Sequence, residues 1–234
     1  MTLEDKITVL YSIAPGVNRY EDKEKFKKMV RTFPVITKEL KVLNDPLINL
    51  AVLIHQLEDE QRMQGAKSSG KGNALKVAEK VLKRNKDIRN GLCYANIVDG
   101  NQYICDGRIG VCYSEGNHLP LEEMPKDIQP LDTLPKFFAD MDGIDIELPD
   151  LKALKNYIKM QKSLHKGDKN YCMLFDFGVG KYQVNAQFLA EVIEMLPDAK
   201  AKMQDQKVVF EDENGNKGLL MVVRVDSTGK RTEL

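Results

Sequence analysis

The chain has 234 residues, 42% of them hydrophobic, enough for one large domain or two small ones with a sizeable core. Its 35 basic and 35 acidic residues give a formal net charge of +0, so no global field gathers a polyanion, and any such attraction must come from local clustering. The longest apolar stretch, around Leu47 to Ile54, is too short to span a bilayer, and the N-terminal MTLEDKITVLYS lacks a signal-peptide core, so the expectation is a cytoplasmic protein without a membrane partner.

Residues 1–64 predict a helical N-terminal region. Breaks fall at Pro15–Gly16, Pro34 and Pro46, and Leu47, Leu50, Val52, Leu53, Ile54 and Leu57 supply apolar positions. The segment GAKSSGKGN that follows is small, polar and glycine-rich, and residues 65–72 are expected to be a linker. It matches the first seven positions of the phosphate-cradling P-loop, but Gly72 stands where the magnesium-binding hydroxyl belongs. The preceding HQLEDEQRMQ also reads as polar helix rather than buried strand, so a nucleotide site is not expected.

From Asn73 to about Lys86 an asparagine cap and the stripe Leu75, Ala78, Val81 and Leu82 predict a helix, with Lys76, Lys80, Lys83 and Arg84 opposite. Strands follow at about 91–98 and 102–105, joined at Asp99–Gly100, and a third at about 108–113. Residues 114–149 change character, with five prolines and many acidic groups, and read as a long crossover anchored by Phe137 and Phe138.

A second helix, about 150–163, places Leu151, Leu154, Tyr157 and Ile158 on one side. At about 100° per residue, Lys152, Lys155, Lys159, Lys162 and Lys166 fall within an arc of about 80° on the other. Strands at about 170–177 and 180–184 lead to Asn185, the cap of a third helix with Phe188, Leu189, Val192, Ile193 and Leu196 toward a core and Pro197 at its end. The closing strands KVVFED and GLLMVVRV flank Glu213–Asn214–Gly215–Asn216, and residues 227–234 form a polar tail. A lysine-faced helix followed by two short strands thus occurs twice, at 73–113 and 150–184, with Cys93–Tyr94 and Tyr171–Cys172 at similar distances from their helices. This is read as an internal repeat.

Chemistry-bearing constellations are few. Cys93, Cys105, Cys112 and Cys172 lie among apolar neighbours in predicted strands, without CxxC pairing or histidines at ligand spacing, and are expected to be structural thiols. Asp140, Asp142, Asp145, Glu147 and Asp150 lack the spacing of a calcium loop and read as an exposed acidic connector. No serine, metal or thiol catalytic signature is present, so neither an enzyme, a cofactor nor a metal is expected. The lysine stripes carry the most information. Any surface helix exposes charge opposite its apolar face, but residues 151–167 hold five lysines and no acidic residue, so the usual Glu–Lys pairing is absent. A phosphate backbone would neutralise such a stripe.

The segments GKYQVNAQFLAEVIEML, KVVFEDENGNKGLLMVVRV and NQYICDGRIGVCYS resemble the helix, hairpin and turn units of the bacterial DNA polymerase sliding clamp, with Asp106–Gly107 at a turn. The resemblance covers about residues 72–226. A bacterial clamp subunit has three such domains, whereas this chain has length for about one, as a shortened, phage-like relative would. The resemblance implies an α+β fold: an N-terminal helical region, then a clamp-like domain at 73–226 with antiparallel sheet packed on two or three helices. It further implies a non-catalytic accessory protein of DNA replication that contacts DNA phosphates without reading sequence. The contacts would come from Lys76, Lys80, Lys83, Arg84, Lys152, Lys155, Lys159, Lys162 and Lys166. Replication or other protein partners and an oligomer fit the same reading. The alternative is a protein-interaction adaptor that binds no DNA.

Overall fold

The structure is a computed structural model that describes residues 46–85, 90–122, 124–125, 128–168, 171–179 and 182–223, with side chains from residue 56 onward. It is a mixed α/β protein with five α-helices and a large antiparallel sheet among the described residues. The chain divides into two compact units, residues 1–72 and 73–234. The expected helices before residue 46 and the tail at 227–234 lie outside the described residues.

In the first unit helix α1 runs Pro46–Ser68, so residues 65–68, expected as linker, are its last turn. The hydroxyls that made this segment look loop-like satisfy the helix's terminal carbonyls instead. Ser68 Oγ donates to the Gly65 carbonyl at 2.8 Å, and Ser69 Oγ reaches Gly65 O and Ala66 O at 3.1 Å. Gly70, at φ +75°, then turns the chain out of the helix. Only residues 69–71 separate α1 from the next helix, and the P-loop-like motif is spent on a helix terminus.

The second unit begins with α2 (Gly72–Lys83), which buries Leu75, Ala78, Val81 and Leu82 as its period predicts. A short 3-10 turn (Asn90–Cys93) replaces the first half of the strand expected at 91–98, and β1 is only Asn96–Val98. Asp99 and Gly100, both at positive φ, make the tight turn into β2 (Asn101–Cys105). Asp106 and Gly107 lead to β3 (Ile109–Tyr113), and a crossover containing α3 (Leu134–Phe137) and β4 (Ile144–Ile146) follows. Helix α4 (Leu151–Leu164) is capped by Asp150, whose carboxylate accepts from Ala153 N at 2.8 Å. The remaining elements are β5 (Leu174–Asp176), β6 (Gln183–Asn185), α5 (Ala186–Met195), β7 (Lys200–Met203), β8 (Lys207–Glu211) and β9 (Lys217–Val223).

The sheet runs in the order β1-β2-β3-β9-β8-β7-β4, with β6 pairing the end of β9 and β5 pairing β6. That order corrects the repeat expected from sequence. The unit α2-β1-β2-β3 is a helix followed by a three-strand meander, and its topological counterpart is α5-β7-β8-β9 rather than the segment beginning with α4. The two meanders meet antiparallel at β3 and β9, where Val111 pairs with Gly218 and Gly110 with Leu219. Helix α4 with the β5–β6 hairpin is an addition between them.

Both faces of this junction are packed. On one, α5 contacts β3, β9 and β6, and Gly218 is needed because a Cβ there would lie 2.9 Å from Leu196 Cδ1 and 3.2 Å from Val192 Cγ1. The other face carries a cluster of Leu92, Tyr103, Cys112, Leu134, Phe138 and Leu219, with the Tyr103 and Phe138 rings edge to face at 5.4 Å. Of the two expected crossover anchors, Phe138 is buried and Phe137 is exposed. Adjacent residues on a helical turn differ by about 100° in direction, and here Phe138 is the one turned toward the sheet. The cysteines divide: Cys105 in β2 and the buried Cys112 in β3 lie in strands as expected, while Cys93 lies in the 3-10 turn and Cys172 outside any strand.

Candidate nucleic-acid interface

Helix α5 carries two carboxylates, the buried Glu191 and the half-buried Glu194, and its flanks are occupied by the two lysine-faced helices. From α2, Lys80 Nζ meets Glu191 Oε1 at 2.7 Å, and the guanidinium of Arg84, just past the helix end, meets the other oxygen of the same carboxylate. From α4, which packs on α5, Lys155 Nζ pairs with Glu194 Oε1. Three residues on a helix differ by about 60° in direction, so Glu191 can face α2 while Glu194 faces α4. The two cationic helices are therefore joined through the third.

Arg84 is the centre of the more buried cluster. Its second nitrogen donates to Asp106 Oδ2 at 2.6 Å, while Asp106 Oδ1 accepts the backbone N–H groups of Arg108 and Ile109, fixing the β2–β3 turn. The Arg84 guanidinium also stands 5.0 Å from the centre of the Phe188 ring, with Arg108 at 5.7 Å from the same ring. Burial alone would weaken the Arg84 charge, but the hydrogen bonds and charges of Glu191 and then Asp106 outweigh it and raise its pKa. Next to it, Asn85 Nδ2 closes the end of α2 by donating to the carbonyls of Leu92 and Cys105.

The nine cations expected to contact phosphate thus have two fates. Lys80, Arg84 and Lys155 are engaged by carboxylates of their own chain. Lys76 and Lys83 on α2, and Lys152, Lys159, Lys162 and Lys166 on and after α4, are exposed and form no ion pair with a described residue. The sequence of the third helix carries no sign that Glu191 and Glu194 receive the cations of the other two. The partners are 107 and 111 residues apart for Arg84 and Lys80, beyond any local pattern.

Among the described residues no group of three or more His, Cys, Asp or Glu side chains is placed to hold a metal ion. His118 Nε2 lies 3.0 Å from the Gly100 carbonyl, and His165 stacks on Tyr171 with ring centres 3.5 Å apart. No described helix is long and apolar enough to cross a membrane. No family model, curated protein or solved structure matches the chain.

Proposed function

We propose that the protein is a non-catalytic DNA-associated accessory protein that contacts phosphates through the six unengaged lysines and does not read sequence. The observation that carries this reading is the α4 stripe: four lysines along one helix face and Lys166 just past its end, of which only Lys155 is matched by a described carboxylate. A duplex backbone would supply the missing countercharge. Two further features support it. The lysine helices flank a common helix, and the helix-and-meander unit occurs twice around the β3–β9 junction. Replication proteins as partners belong to the same proposal.

Fluorescence anisotropy with a labelled duplex tests it. If all six lysines meet phosphates, the logarithm of affinity should fall with the logarithm of salt at a slope of about −5, equally for unrelated sequences. Lys159→Glu with Lys162→Glu should weaken binding at least tenfold. Unchanged binding in that variant, or no binding by the wild type at low salt, would overturn the DNA reading and favour the adaptor.

A further inference from the structure

One cation beside the Arg84 cluster has no countercharge of its own. Arg108 is exposed, and its guanidinium carbon stands over the half-buried Phe188 ring, 5.7 Å from the ring centre. Its backbone is fixed on both sides: the N–H donates to Asp106 Oδ1 at 2.9 Å, and the carbonyl accepts from Met221 N at 2.9 Å. The ring is fixed too, because Phe188 sits in the first turn of α5 and its N–H donates to the capping Asn185 at 3.2 Å. Arg108 thus leaves a pinned turn and rests on a pinned aromatic side chain.

The neighbouring carboxylates are already engaged. Asp106, whose side chain is 2% exposed, gives Oδ2 to Arg84 and Oδ1 to the backbone N–H groups of Arg108 and Ile109, and Glu191 divides between Arg84 and Lys80. Three cations therefore stand around two carboxylates, and the one left over is Arg108, which forms no ion pair with a described residue. An aromatic ring attracts a guanidinium without using any of its five N–H donors. Those donors form a planar fork that matches two phosphate oxygens at once, which a lysine ammonium does not. We infer that Arg108 is a further phosphate-binding residue, gripping one phosphodiester of a nucleic acid through this fork while Phe188 positions it. The inference rests on the DNA reading and extends its footprint from the helix faces to the β2–β3 turn. It also separates two arginines that share one ring: Arg84, doubly paired, holds the frame, and Arg108 meets the ligand.

Fluorescence anisotropy with a labelled duplex over a range of salt, on the full chain with Arg108→Gln or Arg108→Lys, tests it. Glutamine removes the charge and the fork. It should weaken binding about fivefold to tenfold at low salt, equally for unrelated sequences, and make the slope of log affinity against log salt shallower by about 0.9. Lysine restores the charge alone, so the slope should return to the wild-type value while the affinity recovers only in part. The urea midpoint should stay at the wild-type value in both variants, because Arg108 bridges no described carboxylate. Wild-type slope and affinity in Arg108→Gln would overturn this inference and leave the DNA reading standing. A weakened Arg108→Gln whose urea midpoint falls as well would make the role structural, and full recovery of affinity by lysine would remove the fork, so either result also overturns it. No binding by the wild type at low salt would overturn both readings.

Discussion

Arg84, just past the end of α2, and Glu191 on α5 form an ion pair that joins the two helix-and-meander units. The Glu191 side chain is 4% exposed and its two oxygens are shared between Arg84 and Lys80, while Arg84 is shared between Glu191 and Asp106. Removing one partner strands a desolvated charge, whereas removing both need not. Glu191→Ala should therefore destabilise the second unit by about 2–4 kcal/mol, with Arg84 and Lys80 left facing an apolar helix. Arg84→Met combined with Glu191→Leu should cost less than the sum of the single changes. Urea denaturation of the four proteins in a double-mutant cycle measures the coupling, and strict additivity would mean that the pair does not act as a unit.

Gly218→Ala should destabilise by about 1–3 kcal/mol, because the new methyl meets Leu196, Phe210 and Val192 in the packed space between β9 and α5. Gly65→Ala provides the opposite sign. Nothing lies within 4 Å of a Cβ there and the residue is helical, so α1 should gain about 0.5–1 kcal/mol. Thermal denaturation of both variants checks the contrast between a glycine that makes room and one that does not.

Caps are the third target. Asn185 accepts from the N–H groups of Gln187 and Phe188, and Asp150 from that of Ala153. Alanine at either position should cost about 1 kcal/mol. Hydrogen exchange should show the loss as faster exchange in the first turn of α5 or α4, with the sheet unaffected.

Stability should also fall at alkaline pH. Burial, with the neighbouring Cys112 adding to it, pushes Tyr103 up to about 12, against an ordinary value near 10. Burial raises Tyr113 and the Cys112 thiol as well. Between the unfolded and folded values the unfolded chain has released a proton that the folded chain keeps, so stability decreases as pH rises through that window. The contribution is fully present below about pH 10 and lost by about pH 12 for Tyr103. Denaturant melts across this range should show the decline, and Tyr103→Phe should flatten it.

Local features were legible because their causes are local. The 3.6-residue period of Leu75, Ala78, Val81 and Leu82 predicts α2, and the apolar stripe with its opposing lysines predicts α4. The cap at Asn185 and the turn at Asp99–Gly100 follow from side-chain and backbone chemistry within a few residues. Strands β4 and β7 were not legible. Three and four residues are too short for an alternation to stand out, and β7 carries two lysines that neighbouring strands, not its own composition, hold in the sheet.

The lysine stripe shows where the division falls. Sequence by itself determined that α2 and α4 each present a cationic face, because helical periodicity is encoded residue by residue. Only the tertiary structure decided which cations are engaged: sheet pairing between β3 and β9, elements more than a hundred residues apart, brings α5 beside α2 and sets Glu191 against Lys80 and Arg84. The same pairing made α5, not α4, the counterpart of α2 in the repeat. Two helix-and-hairpin stretches can share a local pattern, but a strand's neighbours are selected by long-range hydrogen bonding and burial, which no window of sequence contains.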